Sequence, residues 1–423
     1  MIRLGLVMAG VLLAGSFALA GESPDLQKQL DELKAKVDAL EKQRASAPAA
    51  GEPAPAAKKS LWDEYGLKLS GDLRLRGDYC HRPYWEPDKA DRERLRFRAR
   101  LQLDAKANDE VDLRFRIATD ETTESDNGAD PTSNNQTMTN SFSKKGIYWD
   151  LAMFDYHPKA IEGLRLTGGK IEQPFIAVGK NELIWNASLT PEGGALRYAS
   201  KFGDVEIIAT AAGYWIQERN SATADNADSG MVGGQLAGKY NFSKDVYVLA
   251  GGGYFDYLNA RNYAVFDYTG GTEGFGNTVS PDGEYVNDYN IAEVFGELGF
   301  ACPLTGLPVS LFGDVVRNTA TDDDAKAFLV GARVGKLVNP WDWSVSYDFR
   351  RVEKDAVIGA FCDSMAYGGG TNGKSHKVGA ELQLMKNLSV GAYGYVGWAH
   401  ISENDTDHND RYRRYILDFC FKF

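Results

Sequence analysis

Arginine recurs at every second position from Arg92 to Arg100, interleaved with Glu93, Leu95, Phe97 and Ala99. A guanidinium stays protonated at any physiological pH and presents a planar fork of donors, so a row of them binds or steers anions and does no proton chemistry. Two-residue spacing places Arg94, Arg96, Arg98 and Arg100 on one face of an extended strand and Leu95, Phe97, Ala99 and Leu101 on the other. The neighbouring segments repeat the pattern: Arg74 and Arg76 alternate with Leu73 and Leu75, and Arg114 and Arg116 alternate with Leu113 and Phe115. If the apolar face meets lipid, where arginine costs about 2–4 kcal/mol at the bilayer midplane, these eight guanidiniums must share a watery interior wall. Asp72, Asp78, Asp104 and Asp112 have the same parity. Two outcomes stay open: a field that concentrates anions, or ion pairs that leave the wall stiff and nearly neutral.

Catalytic chemistry finds no support. The histidines (His81, His157, His376, His400, His408) lack metal-ligand spacing, no Gly-x-Ser-x-Gly segment occurs, and the four cysteines contain no Cys-x-x-Cys pair. We therefore expect no enzyme activity, no cofactor and no bound metal. A formal charge of −12, or −13 once a leader carrying Arg3 is removed, argues against nucleic acid as a partner. The acidic runs, among them Asp322-Asp323-Asp324, lack calcium-loop spacing and read as solvated surface, with weak cation bridging to lipopolysaccharide as the alternative.

The elements that position the arginines must be strands. After residue 20 no apolar run reaches the roughly 18 residues of a membrane helix, and the low mean hydropathy of −0.37 is compatible with barrel strands, which expose only alternate side chains to lipid. From Gly66 to the end, period-two segments recur near 66–79, 92–106, 111–119, 147–157, 163–171, 194–201, 204–216, 230–242, 245–257, 290–301, 307–317, 325–337, 342–353, 374–385, 388–400 and 411–423. Short turns alternate with longer polar connections, the pattern of periplasmic turns and external loops. This predicts an all-β fold, an antiparallel transmembrane barrel of about sixteen strands, over 66–423, in the outer membrane of a Gram-negative bacterium. Trp62, Trp149, Trp341, Trp343 and Trp398 fall at or near strand ends, where interfacial girdles are expected.

Upstream, Met1-Ile2-Arg3, an apolar run and Ala18-Leu19-Ala20 read as a secretory signal over 1–20. Leu26, Leu30, Leu33, Val37 and Leu40 form a heptad seam over 21–44. We expect a short homotrimeric coiled coil in the periplasm, with a lone amphipathic helix as the alternative. The Ala/Pro-rich stretch over 45–65 reads as a spacer.

Gly168-Gly169-Lys170-Ile171-Glu172-Gln173-Pro174-Phe175, Glu182-Leu183-Ile184-Trp185-Asn186 and Leu189-Thr190-Pro191-Glu192-Gly193-Gly194 resemble the putative porin family, in which a signal peptide and short coiled coil precede a barrel. The resemblance implies a water-filled channel for passive diffusion of small hydrophilic solutes or ions. In general diffusion porins the third loop folds into the lumen opposite a basic wall. By that likeness Glu172, Pro174, Phe175, Glu182, Trp185 and Glu192 form the constriction, with Glu182 and Glu192 as candidates to face the arginines; a lid or subunit contact is the alternative. The aromatic C-terminal strand ending at Phe423 resembles the signal read by the barrel-assembly machinery. Cys80 and Cys362 fall in connections on the same side, which predicts a Cys80–Cys362 disulfide. A second class of function stays open: a structural barrel that tethers the envelope or sheathes an electron-transfer cytochrome.

Overall fold

The computed structural model describes residues 65–82, 91–121, 130–219, 227–268, 272–401 and 411–423, together with Ala35, Lys36 and Ala39, which are helical. The expected leader, nearly all of the coiled coil, and the spacer up to Glu64 with Trp62 lie outside the described residues.

Alternating apolar and polar residues form β1 (Lys68–His81), β2 (Asp91–Asn108), β3 (Val111–Thr119), β4 (Gln136–Thr137), β5 (Ile147–Tyr156), β6 (Leu164–Lys170), β7 (Glu192–Phe202), β8 (Val205–Gln217), β9 (Ser229–Ser243), β10 (Val246–Leu258), β11 (Asn290–Ala301), β12 (Pro308–Asn318), β13 (Lys326–Gly335), β14 (Trp343–Val352), β15 (Gly373–Met385), β16 (Leu388–Ala399) and β17 (Arg411–Lys422). Sixteen of these build a closed antiparallel barrel, with β17 pairing back onto β1. The two-residue β4 is not a wall strand of its own; it takes over the pairing with β2 at Arg96 and Phe97, beyond the end of β3. Closure leaves no unpaired edge in lipid, where an unsatisfied backbone group costs several kcal/mol.

The outward face is apolar, as the alternation requires: Leu73, Leu101, Phe115, Val294, Val315, Val330 and Val378 are all exposed. Trp149 and Trp215 sit toward the loop ends of their strands, and Trp341, Trp343, Phe202 and Phe242 lie at the turn ends. Two rims of aromatic side chains thus bracket the apolar band, as amphipathic rings favour the lipid–water boundary. The turns are tight. Gly203 between β7 and β8 has φ 63° and Asn387 between β15 and β16 has φ 66°, backbone that Gly and Asn adopt at least cost.

The hydrophobic core sits inside the barrel and is made by the long connections. Phe175, Leu183 and Ile184 of the third, Val265, Phe266, Tyr285 and Tyr289 of the fifth, and Val357 and Ile358 of the seventh pack into one buried cluster. Inward folding of the third connection follows the sequence reading; that of the fifth and seventh does not, because both read as external polar loops. Their apolar residues are scattered among Asp, Asn and Gly, and only mutual packing removes them from water.

Candidate functional site

Barrel register stacks the arginines in levels. On β1 and β2, Arg74 stands opposite Arg98, Arg76 opposite Arg96, Asp78 opposite Arg94 and Asp72 opposite Arg100. On β2 and β3, Gln102 faces Arg116 and Asp104 faces Arg114. Levels are separated by two residues, about 6.7 Å along a strand, so basic groups line the interior from the loop rim to the turn rim. All eight predicted arginines lie on this one inward face. A ninth, Arg414 of β17, joins them and was not singled out from sequence; its parity with Asp418 was the available signal.

Carboxylates thread the ladder. Asp72 accepts from Arg98 Nη2 at 2.6 Å and Arg100 Nε at 2.7 Å. Asp78 takes Arg94 at 2.6 Å and Arg414 at 2.7 Å. Arg76 holds Asp418 through Nε and Nη2, both at 2.7 Å. Arg114 pairs with Asp104 at 2.6 Å, Arg116 with Asp150 at 2.5 Å and Arg96 with Glu121 at 3.1 Å. Asp112 instead meets His157 at 3.2 Å. With Glu172, seven carboxylates among the described residues thus meet nine guanidiniums. Among these residues the wall is an ion-pair lattice with a small cationic excess. Within it, the Nε atoms of Arg74, Arg94 and Arg96 are buried without a hydrogen-bond partner among the described residues.

The third connection runs along the interior of the wall away from these arginines. Phe175 packs its ring 4.8 Å from that of Phe255 and 6.2 Å from that of Trp185, and the Pro174 carbonyl accepts from Arg197 at 3.5 Å. Further on, Ile176 N–H donates to Gln235 at 2.8 Å, Gly179 N–H to Glu297 at 3.0 Å and Asn181 to Asp314 at 3.0 Å. Gly179 is obligatory there: φ is 61° and a Cβ would lie 2.4 Å from the Phe312 ring.

The two acids expected to face the arginines do not. Glu182 accepts the Ala187 N–H at 2.7 Å, and Glu192 pairs with Lys170 at 3.4 Å. Glu172, at the start of the connection, bridges Arg114 at 2.6 Å and Arg116 at 3.5 Å. The chain leaves β6, separated from β3 by β5 alone, and then turns away, so only its first acid is within reach.

Besides the fifth, the second and seventh connections also enter. Asn135 of the second accepts from Arg74 at 2.6 Å and, through its carbonyl, from Arg96 at 3.0 Å. The seventh crosses the lumen: Asp363 bonds Arg350 of β14, Asn186 of the third connection donates to the Phe361 carbonyl at 2.7 Å, and the Met365 sulfur lies 3.8 Å from Arg76 Nη1. Burial opposes charge on Asp363, but Arg350 and Lys377 outweigh it and hold the carboxyl below its ordinary range. Glu182 beside it is pushed up by burial and then by Asp363. In the second connection burial, then Asp130, raises Asp120 to about 8.

All four cysteines are free thiols, so the expected Cys80–Cys362 bridge is not formed. Cys80 instead meets the Tyr412 hydroxyl at 3.5 Å, and Cys362 donates to the Gly370 carbonyl at 3.0 Å inside the seventh connection. Sharing a side of the barrel did not suffice, because each thiol is packed by its own neighbours.

Two cavities meet the ladder. One of about 1050 Å³ opens near the loop rim against Arg92, Arg94, Arg96 and Arg414. Another of about 440 Å³ lies near the turn rim against Lys68, Arg114 and Glu172. Among the described residues no group of three or more His, Cys, Asp or Glu side chains is placed to hold a metal ion.

A closed barrel with lipid-facing apolar side chains and a charged, water-facing interior is a channel-forming protein of the outer membrane. The chain belongs to the putative porin family, whose pattern matches residues 78–268 and 277–400. Among solved structures it is similar to Pseudomonas putida OprB, with a TM-score of 0.55 at 11% identity over 86% of this chain and 95% of that one. It is also similar to a mutant of the Rh. blastica porin, at 10% identity and TM-score 0.46, covering 84% of this chain and 100% of the other. Vibrio cholerae OmpT lacking loop L8 gives 11% identity and TM-score 0.43 over 84% and 99% of the two chains. No curated protein matches the chain.

Proposed function

We propose that this porin passes small hydrophilic solutes and prefers anions, which descend the arginine ladder between the two cavities. The observation that carries this reading is the cationic excess of the ladder among the described residues, together with the two cavities that open against it. An anion entering a low-dielectric cleft is drawn by the net positive field of its wall. The paired carboxylates keep each contact weak enough for release to the next level, as conduction requires. The inward third connection, from Glu172 through Pro174, Phe175, Glu182 and Trp185 to Glu192, narrows the passage by covering the far wall. Assembly as a homotrimer, a periplasmic coiled coil and recognition of Phe423 by the barrel-assembly machinery complete the proposal.

The test is the reversal potential of the purified full-length protein in a planar bilayer under a potassium chloride gradient. Anion preference is expected for the native chain, and weakened or reversed preference for Arg94→Glu/Arg96→Glu. Cation preference in the native protein, or no change in the variant, overturns it. A second reading, a barrel whose main task is to tether the envelope or sheathe a cytochrome, draws on the four inward connections that crowd the outer half. Absence of ion-conducting steps favours that reading.

A further inference from the structure

Basic side chains also collect on the outside of the barrel, at one height and over one arc. Register places Arg317 of β12 beside Lys326 of β13, Arg351 of β14 beside Lys374 of β15, and Lys374 beside Trp398 of β16. Trp398 stands next to Arg411 of β17, and Arg413 of β17 next to His81 of β1. All lie at the loop ends of their strands. They point outward, because their chain neighbours Asn318, Arg350, Ser375, Tyr412 and Arg414 are buried in the interior.

One helix-free surface thus carries six cations on adjacent strands, an arc about 24 Å wide at roughly 4.8 Å per strand. Among the described residues two carboxylates answer them: Asp322 at 2.9 Å from Arg317 and Glu353 at 3.6 Å from Arg351. Directly below, toward the bilayer, run Phe328, Phe349, Tyr347, His376 and Tyr415; Phe349 and His376 have ring centroids 4.8 Å apart, and Lys374 sits 5.4 Å from the centre of the Trp398 ring. The rest of the rim differs at its loop ends. Asp91 and Glu93 of β2, with Asp91 2.5 Å from His81, border the arc on one side and Asp256 of β10 on the other, and Trp149 of β5 and Trp215 of β8 lie across the barrel.

Cations above an aromatic rim lie at headgroup depth, where desolvated guanidinium and ammonium groups form charge-assisted hydrogen bonds to phosphate. We propose that this arc, from Arg317 to Arg413, is a binding site for the phosphorylated glycolipid of the outer leaflet. Acyl chains lie along the apolar faces of β12–β17 while the sugar phosphates pair with Arg351, Lys374, Arg411 and Arg413. The site is separate from the channel, since it uses the opposite face of the same strands.

Native mass spectrometry of the full-length protein in non-ionic detergent tests it, with diphosphoryl lipid A as the probe and monophosphoryl lipid A and phosphatidylglycerol as comparisons. Retention is expected in the order diphosphoryl, monophosphoryl, phosphatidylglycerol, and it should survive EDTA. Arg351→Gln/Lys374→Gln/Arg411→Gln/Arg413→Gln should weaken diphosphoryl lipid A binding on the order of tenfold or more, while Lys201→Gln/Lys244→Gln at the turn end should leave it unchanged. If the quadruple variant does not fold, each of its two double variants should show a partial loss. Undiminished binding by the variants, equal retention of phosphatidylglycerol, or loss of binding in EDTA, which marks bridging through the acidic loops, overturns the proposal.

Discussion

Arg76 of β1 and Asp418 of β17 clasp each other through two hydrogen bonds of 2.7 Å across the strands that close the barrel. Both side chains are buried, at 4% and 5% exposure. Removing one partner of such a pair leaves an uncompensated charge and costs about 3–5 kcal/mol. Asp418→Asn should therefore lower the temperature at which the folded barrel loses its compact mobility in detergent gels. Asp322→Asn, whose partner Arg317 is half exposed, should leave that temperature unchanged within error.

Glu172 neutralises part of the lattice by bridging Arg114 and Arg116. Its amide counterpart keeps the shape and removes the charge. Glu172→Gln should raise the anion-to-cation permeability ratio by about twofold, the scale of a partly exposed single charge. An unchanged reversal potential would place Glu172 outside the conducting path.

Asp120 supplies the pH dependence. Its ordinary value is 3.8, and burial with Asp130 raises it to about 8 in the folded chain. Between those values the folded state keeps a proton that the unfolded state has released, so stability falls as pH rises through this window and levels off above it. The gel-mobility transition temperature should drop from pH 6 to pH 9, and Asp120→Asn should flatten that slope.

Gly179 lets the third connection press against β12, with Phe312 occupying the space a Cβ would need. Gly179→Val forces the two apart and strains a positive φ. We expect a changed single-channel conductance with the barrel still assembled. Identical current steps would show that this stretch does not border the passage.

Unfolding in the presence of a thiol reagent should titrate four thiols, and reducing and non-reducing gels should show one mobility. Two thiols with a mobility difference would restore the Cys80–Cys362 bridge.

The sequence disclosed most of the frame and little of what fills it. Strands were legible because lipid outside and water inside impose a two-residue period that Arg94-Leu95-Arg96-Phe97 displays openly. The pairing of Asp78 with Arg94 and Arg414, by contrast, joins residues that lie 336 positions apart at the widest, and no local pattern carries that register. Glu182 and Glu192 looked like suitable partners for the arginines because they are acids in the third connection. The path of that connection put both elsewhere and left the contact to Glu172.

Chain alone determined which side chains touch hydrocarbon, because the energetic cost of arginine in lipid is paid residue by residue and leaves its mark in every strand. Tertiary structure alone decided how far the guanidiniums are balanced, which connections enter the lumen, and that the outer basic residues of five strands come to lie in one arc. Those outcomes depend on closure of the barrel, which sets neighbours between segments that have no proximity along the sequence.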